Sequence, residues 1–150
     1  MKLMKPLIMK PFIVPGALGA FMLAGILCAA ADDVPRVKVT PVFSSTTTAA
    51  GQPIVLPQSN AEVRVSMYEI PVGVRLPVHK HPSPRYAYVL AGKLRVTDED
   101  NGRTFDYAAG DFLIEMLDTW HFGTNIGTEP VRLLVIDQVE AGQPNTIELK

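Results

Sequence analysis

From Ala61 onward the chain alternates apolar and polar residues in short runs, which is typical of β-strands. One face of the first strand would carry Ala61, Val63, Val65 and Met67. The pair Asn101–Gly102 predicts a tight hairpin turn. Further strands are predicted over residues 85–90, 93–97, 104–107, 112–117, 120–124 and 131–139. Many short strands separated by turn residues predict an all-β fold, namely a small antiparallel β-barrel or jelly roll.

The first 31 residues have the pattern of a secretory signal peptide. Three lysines make the start basic, an apolar stretch runs from Pro11 to Cys28, and three alanines precede Asp32. We expect cleavage after Ala31 or Ala30, export to the periplasm or beyond, and no stable membrane insertion of the mature chain. An uncleaved membrane anchor is the alternative, because the apolar stretch is near the lower length limit for crossing a bilayer.

Residues 32–60 are rich in Pro, Ser, Thr and Ala. Ser44–Gly51 has no apolar period, so we expect a flexible N-terminal arm or linker. The sequence therefore predicts a single β-barrel domain over residues 61–150, preceded by this arm and the signal segment.

Composition and charge narrow the classes of partner. Cleavage would leave about 119 of the 150 residues, with 11 Lys and Arg against 15 Asp and Glu, a net charge of −4. Without a basic stripe, we expect neither a nucleic-acid nor an anionic-membrane partner. The one cysteine, Cys28, lies in the signal segment, so the mature domain would fold without a disulfide.

All three histidines of the chain are candidate metal ligands. His79 and His81 are two residues apart, so on a strand their side chains project from the same face. His121 follows 40 residues later. Neutral imidazole is the commonest protein ligand for transition metals. Taken alone, the pair is also compatible with surface histidines in a loop, since three prolines surround it.

The spacing of residues around the pair resembles the first motif of the cupin superfamily, G-x5-H-x-H-x3-E-x6-G. Here the motif positions hold Gly73, His79, His81 and Gly92, with Arg85 where the glutamate belongs.

The second cupin motif, G-x5-P-x-G-x2-H-x3-N, is matched at Gly110, His121 and Asn125. Met116 and Asp118 replace its proline and glycine. The resemblance covers roughly residues 62–139. It implies a β-barrel of about six to eight strands with a metal in its mouth, and by that likeness His79, His81 and His121 would be the ligands of one divalent transition metal (Fe, Mn, Ni, Cu or Zn).

Arg85 is the departure that matters, because a guanidinium is always protonated and cannot bind a metal. Because Arg85 replaces the glutamate of the motif, the sequence predicts an open site with three histidines as its ligands. If Arg85 points inward at about 5–6 Å, its repulsion costs about 3 kcal/mol per metal charge at an effective dielectric of about 20. Three outcomes are open: an internal ion pair with Glu115, an anionic substrate that bridges the metal and Arg85, or a side chain turned out to solvent.

Two functions follow from these observations and the resemblance. The first is a metal-dependent, dioxygenase-like enzyme acting on a small oxygenated or aromatic compound, with Arg85 and Glu115 as candidate catalytic residues. The second is a non-catalytic module that binds a metal or a small, anionic ligand. A homodimer is expected from the resemblance alone.

Overall fold

The computed structural model describes residues 36–150. The predicted signal segment, residues 1–31, lies outside them. Lys38–Lys150 form one compact unit, and of the other unit, Met1–Val37, only Arg36 and Val37 are described, both exposed. Nine strands follow in chain order: β1 Ala61–Ile70, β2 His79–Lys80, β3 Arg85–Ala91, β4 Lys93–Asp98, β5 Thr104–Ala108, β6 Phe112–Ile114, β7 His121–Asn125, β8 Val131–Glu140 and β9 Ile147–Glu148.

The strands form two antiparallel sheets, ordered β1-β8-β3-β6 and β5-β4-β7-β2-β9. Both sheets contribute to one apolar core, for example Val89 and Val135 from the first and Leu94 and Val96 from the second. The sheets therefore pack face to face around a shared interior. The expected all-β, antiparallel barrel-like fold is confirmed. None of the described residues belongs to a helix that is long and apolar enough to cross a membrane.

The predicted hairpin at Asn101–Gly102 is confirmed, since β4 and β5 are adjacent in register and Gly102 has a φ of +71°. Gly92 makes the turn from β3 to β4 with a φ of +81°. A Cβ atom at Gly92 would lie 2.8 Å from the carbonyl oxygen of Pro130, so the close packing of this turn requires glycine.

The outer face of β1 is apolar and exposed. Val63, Val65 and Met67 are 59–61 % exposed, whereas Tyr68 on the opposite face lines the interior. The apolar half of the predicted alternation therefore points outward in this edge strand.

Part of the predicted flexible arm is folded onto the domain. The amide of Ala49 donates to the carbonyl of Ile114 (2.9 Å), and the Gln52 side chain bonds both backbone groups of Leu117. Composition indicated a linker here, but Ala49 and the Gln52 side chain hold the segment through contacts about 65 residues away in the chain. These contacts brace the chain between β6 and β7, which carries Glu115.

Candidate metal centre

The three histidines converge because of how β2 and β7 pair. His79 lies opposite His121 in the antiparallel ladder, and His81 forms a parallel bridge with Leu117. The centroids of the three imidazole rings are 4.6–5.0 Å apart. All three side chains are buried, with residue exposures of 7 % for His79 and 1 % for the other two. The alternative of surface histidines on a loop is therefore wrong.

Each ring is oriented by one backbone carbonyl. The Nδ1 atoms of His79 and His121 lie 2.7 Å from the carbonyl oxygens of Pro77 and Thr119, and Nδ1 of His81 bonds the carbonyl of Asn145. A carbonyl oxygen only accepts hydrogen bonds, so each Nδ1 carries a proton and donates it. In its neutral form each ring then has its lone pair on Nε2, which is the tautomer that ligates a metal through Nε2.

Glu115 is the fourth member of the cluster. Its Oε2 atom lies 3.0 Å from Nε2 of His121 and 3.4 Å from Nε2 of His81. One potential ligand atom from each of Glu115, His79, His81 and His121 lies within 4.8 Å of the others. The predicted open site with three histidines and no carboxylate is therefore corrected to a group of three histidines and one glutamate.

The local backbone explains how Glu115 comes to stand there. It follows directly after β6, and its amide donates to the carbonyl of Arg85 in the neighbouring β3 (2.9 Å). The motif's glutamate is missing from β3, and Glu115, at the end of the neighbouring strand β6, provides a carboxylate beside the same position.

The cluster places an ionised carboxylate among the three imidazoles. Burial, helped by the charges of the other two histidines, lowers the pKa of His79 to about 4, so this ring is neutral near pH 7. Burial alone would raise the pKa of Glu115, but hydrogen bonds with His121 and His81 outweigh it and hold that pKa well below 4.5. Burial would likewise lower the pKa of His121, but its hydrogen bond to Glu115 prevails and raises it above 6.5.

Arg85 points inward but does not pair with Glu115. Its Nε and Nη2 atoms donate to the two carboxylate oxygens of Asp137 at 2.7 and 2.9 Å, and the residue is 5 % exposed. The alternatives of an ion pair with Glu115 and of a side chain in solvent are therefore wrong. Asp137 lies directly opposite Arg85 in the ladder between β3 and β8 and offsets the repulsion that an inward guanidinium would bring.

Asn145 joins this ion pair to the histidines. Its Nδ2 atom donates to Oδ1 of Asp137 (2.7 Å), and its backbone carbonyl accepts the Nδ1 proton of His81. Sequence reasoning missed both Asp137 and Asn145. Asp137 had a signal, since it interrupts the apolar positions 131, 133, 135 and 139 of a predicted strand. Asn145 had none.

Asp118 occupies the position of the second motif's glycine and has a φ of +49°. Aspartate is among the few residues that tolerate this left-handed backbone. Its carboxylate lies 3.2 Å from the ammonium group of Lys80 in β2. The substitution therefore keeps the turn that leads into His121.

A small cavity of about 20 Å³ borders the cluster. Its polar lining comes from His79, Arg85 and Glu115, and the remainder of its wall is largely apolar. This volume accommodates a molecule of about the size of water. A larger groove of about 510 Å³ is lined by none of the four clustered residues.

The donor set suits a divalent transition metal. Imidazole nitrogen binds Zn, Cu, Fe and Ni, while a carboxylate also suits Mn. Three neutral rings and one carboxylate give a net charge of −1, which complements a dication. The residues therefore fit the predicted cofactor class, and the donor set does not single out one metal.

Comparisons with known proteins identify a family and similar solved structures. The protein-family model described as Cupin domain matches residues 66–137. Among solved structures, an oxalate decarboxylase from Lactobacillus farciminis in complex with formate is 26 % identical, with a TM-score of 0.49, covering 58 % of this chain and 26 % of that one. The Bacillus subtilis oxalate decarboxylase studied for its Mn(II) centres is 27 % identical, with a TM-score of 0.49, covering 58 % and 24 %. This chain thus spans about a quarter of the length of those enzymes. No curated protein sequence matches it.

Proposed function

Since this chain belongs to the cupin superfamily, we propose that it is a metal-dependent cupin that holds one divalent transition metal. The ligands are His79, His81 and His121 through Nε2, with the carboxylate of Glu115 as the fourth. The observation that carries this proposal is the set of three bonds from Nδ1 to backbone carbonyls, because they leave Nε2 as the ligand atom of each ring, and a metal would replace the hydrogen bond between Nε2 of His121 and Glu115.

The proposed reaction class is dioxygenase-like oxidation of a small oxygenated or aromatic compound. A bound metal supplies Lewis acidity and, if it is iron or another redox metal, a centre for dioxygen. A metal that coordinates more than four ligands would keep positions open for small molecules when held by these four residues. Glu115 contributes the negative charge of the centre, and Arg85 lines the cavity beside it.

The role proposed for Arg85 is limited by its partner. Two of its nitrogens are committed to Asp137, while Nη1 remains 3.5 Å from Nε2 of His81. Nη1 is therefore the guanidinium nitrogen that makes no bond to Asp137, and it is the donor we propose for an anionic ligand in the cavity.

A second function is favoured by the size of the cavity. About 20 Å³ holds a water-sized molecule, so an organic substrate would reach the metal only if the wall of the cavity moves. A non-catalytic module that binds a metal needs no such movement.

Two experiments test these proposals in turn. Metal analysis of protein purified without an affinity tag should find close to one transition metal per chain, and the variant His121→Ala should lose it. Oxygen uptake by iron-loaded protein is then followed with a panel of enols and phenols. Uptake with one of them supports the enzyme, whereas tight binding of a ligand without any uptake supports the module.

We also propose that the chain is exported and that its signal segment is removed, as the sequence pattern of residues 1–31 indicates. The intact mass of protein purified from the periplasm or the medium should then correspond to a chain that begins at Asp32. A homodimer is supported by the exposed apolar face of Val63, Val65 and Met67 and is tested by light scattering during size-exclusion chromatography.

A further inference from the structure

Residues 141–150 form a strap alongside β2, the strand that carries His79 and directly precedes His81. Within it, β9 pairs with β2, with Glu148 opposite His79 and Ile147 opposite Lys80. The amide of Leu149 adds a bond to the carbonyl of Val78 (2.9 Å). On its other side, β2 pairs with β7 only through His79 and His121. The strap therefore provides much of the backbone pairing that fixes β2.

One residue anchors the strap. Asn145 is 4 % exposed, whereas all the other strap residues are exposed. Its Oδ1 atom accepts the amide proton of Ser83 (2.9 Å), its Nδ2 atom donates to Asp137, and its carbonyl accepts from His81. Both ends of the side chain are thus bonded within the domain, and the backbone carbonyl orients a proposed metal ligand.

The strap has few other attachments. Gly142 turns the chain out of β8 with a φ of +83°, and the carbonyl of Gln143 accepts a bond from Nη1 of Arg64 (2.8 Å) at the exposed rim. Segments with little buried surface open at a lower free energy than the core does. Undocking of the strap would release the carbonyl that orients His81.

We propose that the strap Ala141–Lys150 is a metal-coupled clamp and that Asn145 is its positioning residue. The inference depends on the metal centre proposed above. The docked strap holds His81 with Nε2 facing the other ligands, so it favours metal binding. Coupling between two equilibria is reciprocal, so a bound metal must stabilise the docked strap by the same factor.

Asn145→Asp tests the anchor with little change of shape. It keeps Oδ1 and the backbone carbonyl, but it replaces the amide nitrogen that donates to Asp137 with a second oxygen 2.7 Å from a carboxylate. Thr146→Ala is the matched control, because Thr146 is the exposed neighbour in the same strap. Zn(II) affinity is measured by competition with a chromophoric chelator. We expect Asn145→Asp to weaken it about 10- to 100-fold, the usual effect of losing an outer partner of a ligand, and Thr146→Ala to leave it within about twofold.

Hydrogen exchange of the β9 amides with and without Zn(II) gives a second readout, which begins with the wild-type protein. Zn(II) should slow exchange at Ile147–Leu149 in the wild-type protein, and this protection should be lost in Asn145→Asp. If the wild-type protein binds Zn(II) while exchange in β9 is unchanged, or if Asn145→Asp binds as tightly as Thr146→Ala, the clamp is wrong and the metal centre stands. If the wild-type protein binds no metal, both proposals fail.

Discussion

The buried pair of Arg85 and Asp137 gives the sharpest prediction about stability. Asp137→Asn keeps the shape of the side chain and one acceptor oxygen, but it removes the charge opposite the guanidinium. The side chains are only 6 % and 11 % exposed, so water does not replace the lost partner. Breaking a buried ion pair from one side costs about 3–5 kcal/mol of unfolding free energy, because the remaining charge stays buried. For a domain of this size that corresponds to a fall in Tm of roughly 12–20 °C.

The chain contains a matched control for this experiment. Arg95 and Asp106 form the same two-bond geometry, with both distances at 2.6 Å, but their side chains are 42 % and 50 % exposed. Asp106→Asn should therefore cost less than about 1 kcal/mol. Both variants are unfolded with urea in metal-free buffer containing a chelator.

The double variant Arg85→Met with Asp137→Leu separates the cost of an unpaired charge from that of lost packing. Replacing both charges with apolar groups should recover most of the loss, because no charge is then left buried. Equal losses in Asp137→Asn and Asp106→Asn, or a double variant no more stable than Asp137→Asn, would show that burial of the unpaired charge does not set the cost.

Three further predictions concern the ligands and the fold. Glu115 raises the pKa of His121, so a proton competes with the metal for Nε2 of that ring. The affinity for Zn(II), measured by chelator competition, should therefore fall about tenfold from pH 6.5 to pH 5.5. An affinity that does not change with pH would contradict this prediction. Glu115→Gln should weaken Zn(II) binding by more than the roughly 10- to 100-fold typical of outer partners, while exposed Glu129→Gln should leave it unchanged. Gly92→Ala should destabilise the domain more than Gly102→Ala in urea unfolding, since both have positive φ but only Gly92 lacks room for a Cβ atom; equal losses would show that packing at this turn is unimportant.

Much of the fold could be predicted because strands leave a local signal. The alternation beginning at Ala61 and the hairpin at Asn101–Gly102 each depend on residues close in sequence, and the structure has both. The convergence of the histidines was indicated by motif spacing, and the register of β2 with β7 accounts for it. The short strands β2 and β9 have no such signal, because two residues are too few to show a period.

The charged network around the site could not be worked out in the same way. Whether Glu115 or Asp137 neutralises Arg85 depends on which strands are neighbours and in what register. Arg85 and Asp137 are 52 residues apart and meet only because β3 pairs with β8. Glu115 reaches the histidines because β6 ends beside Arg85. This neighbourhood depends on the pairing of β3 with β6, which the motif spacing does not predict.

The most direct test of the metal centre is X-ray diffraction from metal-loaded crystals, measured on both sides of the absorption edge of the metal. We expect one anomalous peak per chain, bonded to Nε2 of His79, His81 and His121 at about 2.0–2.2 Å and to the carboxylate of Glu115. A peak elsewhere on the chain, or no peak between these four side chains, would contradict it.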